Sequence, residues 1–490
     1  MSAEVGLSRL AGVEPRPVFH FTPRTNWMND PNGLVHDGDR WHLYFQYNPE
    51  GADWGNMSWG HASSDDLRHW DEHPVALPYR AGEQIFSGSV VITPDDRMTA
   101  YYTSAYDDGR QAQSTATSTD HGFHWTPDPG NPVLDRGTRS FRDPKIIRFG
   151  GSGAGAGGGG GGGDEPIWVM LAVEADDREV LFHTSSDLRT WEYTGSYGPL
   201  GPEGVVWECP DLVRLAVDGD DGDQRWVLLL STNPVGEHPD PDGSSMSWVI
   251  GRFDGRTFSS DATELTRLDH GRDFYAGVTF DNAPEGRAVM LGWMSNWRYA
   301  ADVPAAPWRG AMSLPRQLSV RTVGGMPALI QQPVGFVGSL LAAADTEDIT
   351  TPWHLRHGAH ALLELRWDPA RTGPVRYELR GDADAALAIE HRPDSGEVRI
   401  TRSGADAAAL HPDFPSSMVF PVEAAGGVEM LVSIDGPLVE LFVNGGEAVA
   451  SHLLFTGSEQ VTSHLSSALD GPMRLRVARP TLAERPDGGA

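Results

Sequence analysis

The chain has 490 residues, 39% of them hydrophobic, with 16 Trp, 17 Phe and a net charge of −30 from 38 basic and 68 acidic side chains. That length exceeds one ordinary core and points to two domains, and the apolar content excludes a disordered chain. The charge argues against nucleic acid, anionic membranes and a heavily anionic substrate.

In chain order, the first segment, "MSAEVGLSRLAGVEPRP", has neither the basic nor the apolar part of a secretion signal, and no apolar run is long enough for a membrane helix. As it stands the sequence reads as cytoplasmic; a true start further upstream makes it secreted. "WMNDPNGL", Trp27 to Leu34, is a dense turn signal, because Asn and Asp bond back to the local backbone, Pro fixes φ and Gly accepts positive φ. Short β-rich apolar runs then recur: "WHLYFQY" from Trp41, "MTAYYTSAY" from Met98, "IWVMLAV" from Ile167, "WVLLLST" from Trp226 and "AVMLGWM" from Ala288, at steps of 57, 69, 59 and 62 residues. The longest step contains the Gly-rich run from Gly150 to Gly163, which reads as an inserted hairpin tip without function. A second echo, "SSDDLRHW", "STDHGFHW" and "SSDLRTW", follows three of the runs and ends at Trp70, Trp125 and Trp191.

A multi-strand repeat of this length predicts a β-propeller, and five copies predict five blades. Beyond about residue 340 the texture changes to alternating strands with hairpin signals at Asp435-Gly436 and Asn444-Gly445, a second all-β domain of sandwich type. The expected domains are 15–338 and 345–485.

Each repeat can be searched at one position. Asp30 lies 11 residues before Trp41, and Ser87 lies 11 before Met98. Asp143 precedes Ile167 by 24, or about 11 once the Gly-rich run is discounted; Glu208 precedes Trp226 by 18 and Tyr275 precedes Ala288 by 13. In a propeller such positions face one another across the axis, so Asp30, Asp143 and Glu208 converge. A turn needs the local bonding of Asp30 but no matching acid in two other repeats.

Several carboxyls around one pocket suit glycoside hydrolysis, which needs one ionised and one protonated carboxyl. Crowding and apolar neighbours raise the pKa of at least one, and Glu208, between Trp207 and Cys209, is the expected one. Trp27, Trp54 and Trp297 offer flat apolar faces for a sugar, while Gln46, Asn29 and Arg142 supply directional donors. Cys209 lacks an implied His partner and reads as structural, as do the scattered His20 and His61.

The ordered blocks "FHFTPRTNWMNDPNG", "LYFQYNP", "DWGNMSWGHASSDDLRHW", "FSGS", "FRDPK", "VWECPDLV", "DFYAGVTF" and "LGWMSNWRYAADVPAAPWRGAMSLPRQL", with "VELFVNGGEAV" further on, closely resemble glycoside hydrolase family 32, the β-fructofuranosidases of sucrose, inulin and levan. The resemblance implies an all-β chain, a five-bladed β-propeller followed by a C-terminal β-sandwich. It implies that Asp30 is the nucleophile forming a covalent fructosyl-enzyme, Glu208 the general acid/base and Asp143 the transition-state stabiliser. It puts Asn29, Gln46, Trp54, Phe86, Ser87, Arg142 and Trp297 in the fructose-binding set. Configuration is retained, no cofactor and no metal are needed, and the partner is a fructose-containing oligo- or polysaccharide. Both monomer and homodimer are open.

Ser58 stands where many bacterial members, sucrose-6-phosphate hydrolases included, carry His. That and the levanase-like block around Trp297 favour terminal fructose release from fructans, whereas the missing signal favours sucrose or short oligosaccharides. The competing readings are a fructosyltransferase such as one forming difructose anhydride, a sucrose-6-phosphate hydrolase, and a non-catalytic sugar-binding propeller.

Overall fold

A computed structural model describes residues 15–150, 167–236, 242–305, 307–424 and 426–480. The chain is all-β: strands fill it, and the longest helix among the described residues is Gly335–Ala342. No helix among the described residues is long and apolar enough to cross a membrane. It divides into two compact units, one spanning Thr22–Gln332 and one made of Pro333 onward together with the segment up to Phe21.

In Thr22–Gln332, the apolar runs are second strands. Trp41–Asn48 pairs antiparallel with Asn26–His36, Met98–Tyr106 with Glu83–Ile92, and Ile167–Glu174 with Phe141–Phe149. Asp220–Pro234 pairs with Val205–Val217, and Ala288–Trp293 with Tyr275–Thr279. Three sheets run in sequence order out to a fourth strand, and a single bridge between Val217 and Val320 fuses the remaining strands into a nine-stranded sheet. The five leading strands pack each on the next, and Tyr275–Thr279 returns to Asn26–His36, closing a ring. Trp308–Arg309, parallel to Asn26–Trp27, and a bridge from Val35 to Asp281 tie the end of the unit to its start.

Burial accounts for this order. Asn26–His36 is buried almost throughout, whereas the outer strands Asp71–Leu77 and Glu192–Tyr197 are mostly half-buried to exposed and carry charged residues at their starts, which discourages pairing with other chains. The Gly-rich run joins Phe149 to Ile167, which pair; residues 151–166 themselves lie outside the described residues.

The second echo is turn chemistry. Asp66 accepts the backbone N–H groups of Arg68 and His69, Asp187 those of Arg189 and Thr190, and Asp120 that of His124. Ser64, Ser118 and Ser185 accept from Leu67, Gly122 and Leu188. Asp254 repeats the device with Arg256 and Thr257. Short polar side chains replace missing backbone partners where the chain reverses.

The other unit holds two six-stranded sheets. Both expected hairpins are present, with Asp435 opposite Leu438 and Val443 opposite Ala448, and Asn444 and Gly445 take positive φ of 50° and 65°. Asp435 does more than turn the chain. Its carboxylate accepts the N–H groups of Val18, Phe19 and His20 at 2.8, 2.7 and 3.0 Å, and Nδ1 of both His20 and His360 at 2.7 Å. His20 Nε2 reaches Glu440 at 2.9 Å. Burial opposes charge on His20, but Asp435 and Glu440 outweigh it and raise its pKa to about 9. Asp435, despite its own burial, is held well below the carboxylate range by His20 and His360.

Candidate active site

Each leading strand of the ring breaks register at or beside one of the spaced positions, and the first and fourth break it once more further along. The irregularities fall between Met28 and Pro31, Phe86 and Gly88, Arg142 and Lys145, Glu208 and Asp211, and Tyr275 and Val278. A bulge re-aims a side chain at a local energetic cost. Here Asp143, Cys209 and Ala276 adopt φ of 61°, 47° and 53°, a conformation that costs an L-residue about 1–2 kcal/mol. The five bulges are the five positions found by spacing, so the local strain sits where the side chains meet.

Asp30 Oδ1 accepts from Asn29 Nδ2 at 3.0 Å and Oδ2 from Ser87 Oγ at 2.7 Å. Asp143 Oδ2 accepts the Cys209 N–H at 2.9 Å, and its own N–H donates to Thr103 Oγ1 at 2.8 Å. The Cys209 thiol lies 3.7 Å from both Asp30 Oδ2 and Asp143 Oδ2. Arg142 Nε donates to Glu208 Oε1 at 3.1 Å, and its Nη1 donates to Gln111 Oε1 at 3.3 Å. The Tyr275 hydroxyl donates to Glu208 Oε2. Three acids from three sheets therefore share one set of neighbours.

Electrostatics follow from enclosure. Burial pushes Asp143 up to about 7; Arg142 opposes this, while Glu208 and Asp30 add to it. Burial also raises Asp30, against the bonds from Asn29 and Ser87. Asp30 and Asp143 are enclosed, while the Glu208 side chain keeps 21% exposure beside Arg142. Burial drives the Cys209 thiol well above its usual range, so it stays neutral and is no nucleophile. No group of three or more His, Cys, Asp or Glu among the described residues is arranged to hold a metal ion.

The remaining expected residues divide by what they touch. Trp54 is 48% exposed and meets Phe86 edge-on at 6.0 Å. Trp297 stacks on Trp27 at 6.0 Å. Trp27 is buried and donates Nε1 to Asn29 Oδ1 at 2.8 Å, so it supports Asn29 and Trp297 rather than offering a sugar face. Gln46 is buried and donates one of its two amide N–H groups to the Ile85 carbonyl at 3.0 Å. Tyr275, Gln111 and Thr103 were not among the candidate residues. Spacing marks Tyr275, but nothing local marks the other two.

The trailing letters of the motifs also find a purpose. Lys145 of "FRDPK" and Asp211 of "WECPD" form a buried ion pair at 3.2 Å. Lys145 Nζ donates to the Thr279 carbonyl at 2.6 Å, and Thr279 N and Oγ1 donate to Asp211 Oδ2 at 2.6 Å. This knot joins three leading strands just past the acids.

Known proteins match this chain over nearly its whole length. Residues 20–333 match the model of the glycosyl hydrolases family 32 N-terminal domain, and residues 340–474 that of the family 32 C terminal. A levanase of Bacillus subtilis is 33% identical over 92% of this chain and 68% of its own. An extracellular exo-inulinase of Aspergillus niger is 37% identical over 94% of this chain and 93% of its own. The crystal structure of exo-inulinase from Aspergillus awamori superposes with a TM-score of 0.84 at 30% identity, covering 95% of this chain and 98% of that one. The chain is a glycosidase and belongs to glycosyl hydrolase family 32.

Proposed function

We propose that the enzyme removes terminal β-D-fructofuranosyl units from levan, inulin and sucrose with retention of configuration. The observation that carries this is the convergence of Asp30, Asp143 and Glu208 at bulges of three strands of the ring, with a donor set that treats each one differently. Asp30, steadied by Asn29 and Ser87, attacks the anomeric carbon and forms a fructosyl-enzyme. Glu208 gives a proton to the departing oxygen and then takes one from water. Asp143, with a pKa near 7, both accepts from and donates to fructose hydroxyls. Trp54 and Trp297 form the walls that a sugar ring meets through its C–H face, with Phe86 behind Trp54.

The ring of five leading strands supports a five-bladed propeller, with the nine-stranded sheet as two blades joined by one bridge. The paired six-stranded sheets support a β-sandwich as the second domain. The names of the levanase and exo-inulinase relatives support hydrolysis over transfer, and the extracellular exo-inulinase favours secretion. Arg142, the cation at the acids, is committed to Glu208, which disfavours reading a substrate phosphate.

The test is a product profile on levan, inulin, sucrose and sucrose-6-phosphate. Steady release of free fructose from levan or inulin is expected. Cyclic difructose or longer oligosaccharides with little fructose contradict the reading and indicate capture by a sugar hydroxyl.

A further inference from the structure

Trp54 and Trp297 come from distant parts of the sequence but stand at one mouth. Trp54 meets Phe86 edge-on at 6.0 Å, and Phe86 and Trp297 pack against the same apolar cluster. Trp54 lies on the connection between Trp41–Asn48 and Ser58–Ser64, which has no strand of its own. That connection is tied down by side chains and by its neighbour. Pro49 O accepts Asn26 Nδ2 at 2.9 Å, Gly51 O accepts the Trp27 N–H at 3.0 Å, and Asp53 O accepts Asn48 Nδ2 at 2.7 Å. Trp297 begins a run of turns, in which Tyr299 N donates to Asn296 O at 3.1 Å and Val303 N to Tyr299 O at 3.2 Å. Asn296 Nδ2 and the Trp297 N–H fasten that run to the Arg272 carbonyl and Ser244 Oγ, at 2.8 and 3.0 Å.

One side chain reaches both segments. Arg309 Nε donates to Val303 O at 3.0 Å, and its Nη1 donates to Ala52 O at 2.9 Å and Asp53 Oδ1 at 2.7 Å. The guanidinium is planar with its donors in a fixed fork, so its grip on one carbonyl sets the direction of the other. Its backbone is fixed as well, because Arg309 pairs with Trp27 in parallel register. Gly310 follows at φ 97°, where a Cβ would collide with the Met28 carbonyl. Asp53 is 89% exposed and its ion pair adds little, so the two carbonyl bonds carry the link.

We infer that Arg309 is a positioning residue for substrate binding: it joins the Trp54 connection to the Trp297 turns and sets the gap between the two indoles. This rests on the reading of those indoles as the walls that meet the terminal sugar. The side-chain bonds of Arg309 go to Val303, Ala52 and Asp53 and to none of the three acids, so it acts on binding and not on the bond-breaking step. Flat apolar walls hold the sugar alike before and during reaction. Loosening them therefore raises KM and spares kcat.

The experiment is a double-mutant cycle on sucrose with Arg309→Met, Trp54→Ala and the two combined, reading kcat and KM separately. Arg309→Met is expected to raise KM about 5- to 20-fold with kcat within about twofold of wild type. Trp54→Ala is expected to raise KM at least as much. If Arg309 acts through Trp54, the combined variant has a KM within about twofold of Trp54→Ala alone. If Arg309→Met folds poorly, Arg309→Lys keeps the charge and stem but loses the fork, and enters the same cycle with a smaller rise. Single effects that multiply in the combined variant, or a fall in kcat at unchanged KM, overturn the inference and leave the function intact. An unchanged KM in Trp54→Ala overturns the wall and this inference with it. A wild type that releases no fructose from sucrose, levan or inulin overturns the functional reading itself.

Discussion

Asp30 and Asp143 in one unit and Asp435 in the other are all buried, yet their surroundings work in opposite directions. Asp435 receives five hydrogen bonds, two of them from imidazoles, and is held ionised. Asp143 receives the Cys209 N–H and a weak thiol contact, Asp30 receives one amide and one hydroxyl besides, and both hold their protons more tightly than a free carboxyl. A carboxylate that serves the fold is saturated with donors. One that serves chemistry keeps lone pairs open for a substrate, and the free enzyme bears the desolvation.

The largest effect that breaks this comparison is at Asp30. Asp30→Asn is expected to lower kcat on sucrose or inulin roughly 10⁴-fold or more while leaving sugar binding measurable. Turnover within tenfold of wild type contradicts its role.

Asp435→Asn is expected to do the reverse. It leaves kcat of the folded enzyme unchanged but costs roughly 3–5 kcal/mol in urea unfolding, because His20 loses its main counter-charge inside the unit. An unfolding midpoint equal to wild type contradicts the hub.

Asp143→Asn sharpens the contrast through pH. A carboxyl raised from 3.8 to about 7 on folding contributes stability that is full below 3.8 and lost as pH rises through 7. An amide cannot lose it. The melting temperature of Asp143→Asn should therefore exceed that of wild type by a few degrees at pH 8, with the gap closing toward pH 4. A gap that widens toward acid reverses the sign and refutes the assignment.

The smallest effect concerns His20. Raised to about 9, it supports the fold below 6.5 and loses that support as pH climbs through 9. The stability difference between wild type and Asp435→Asn should narrow there by about 1 kcal/mol. A difference constant from pH 7 to 10 speaks against a charged His20.

Much of this was legible in the sequence, and the reasons are physical. A repeated apolar second strand fixes where the strand before it must lie, so Asp30, Ser87, Asp143, Glu208 and Tyr275 could be aligned before any coordinate. The turn signals at Asp435-Gly436 and Asn444-Gly445 are local and were equally readable. What depends on distant partners was not. Asp435 owes its second role to residues 18–20, more than 400 positions away. Gln46 spends one of its two amide N–H groups on the Ile85 carbonyl, 39 positions away, and Trp27 looks like a sugar platform until burial hides it. The raised carboxyls likewise follow from enclosure by the whole ring, which no flanking Trp or Cys reveals.

The most direct measurement asks where the sugar attaches. Glu208→Gln treated with β-D-fructofuranosyl fluoride can form the ester without an acid but lacks the base to hydrolyse it, so a fructosyl-enzyme should accumulate. Acid quench, trypsin and mass spectrometry should find one anhydrofructose unit on the peptide from Thr25 to Arg40, at Asp30. Attachment at another carboxylate, or fructose release with no adduct at any time, contradicts the account.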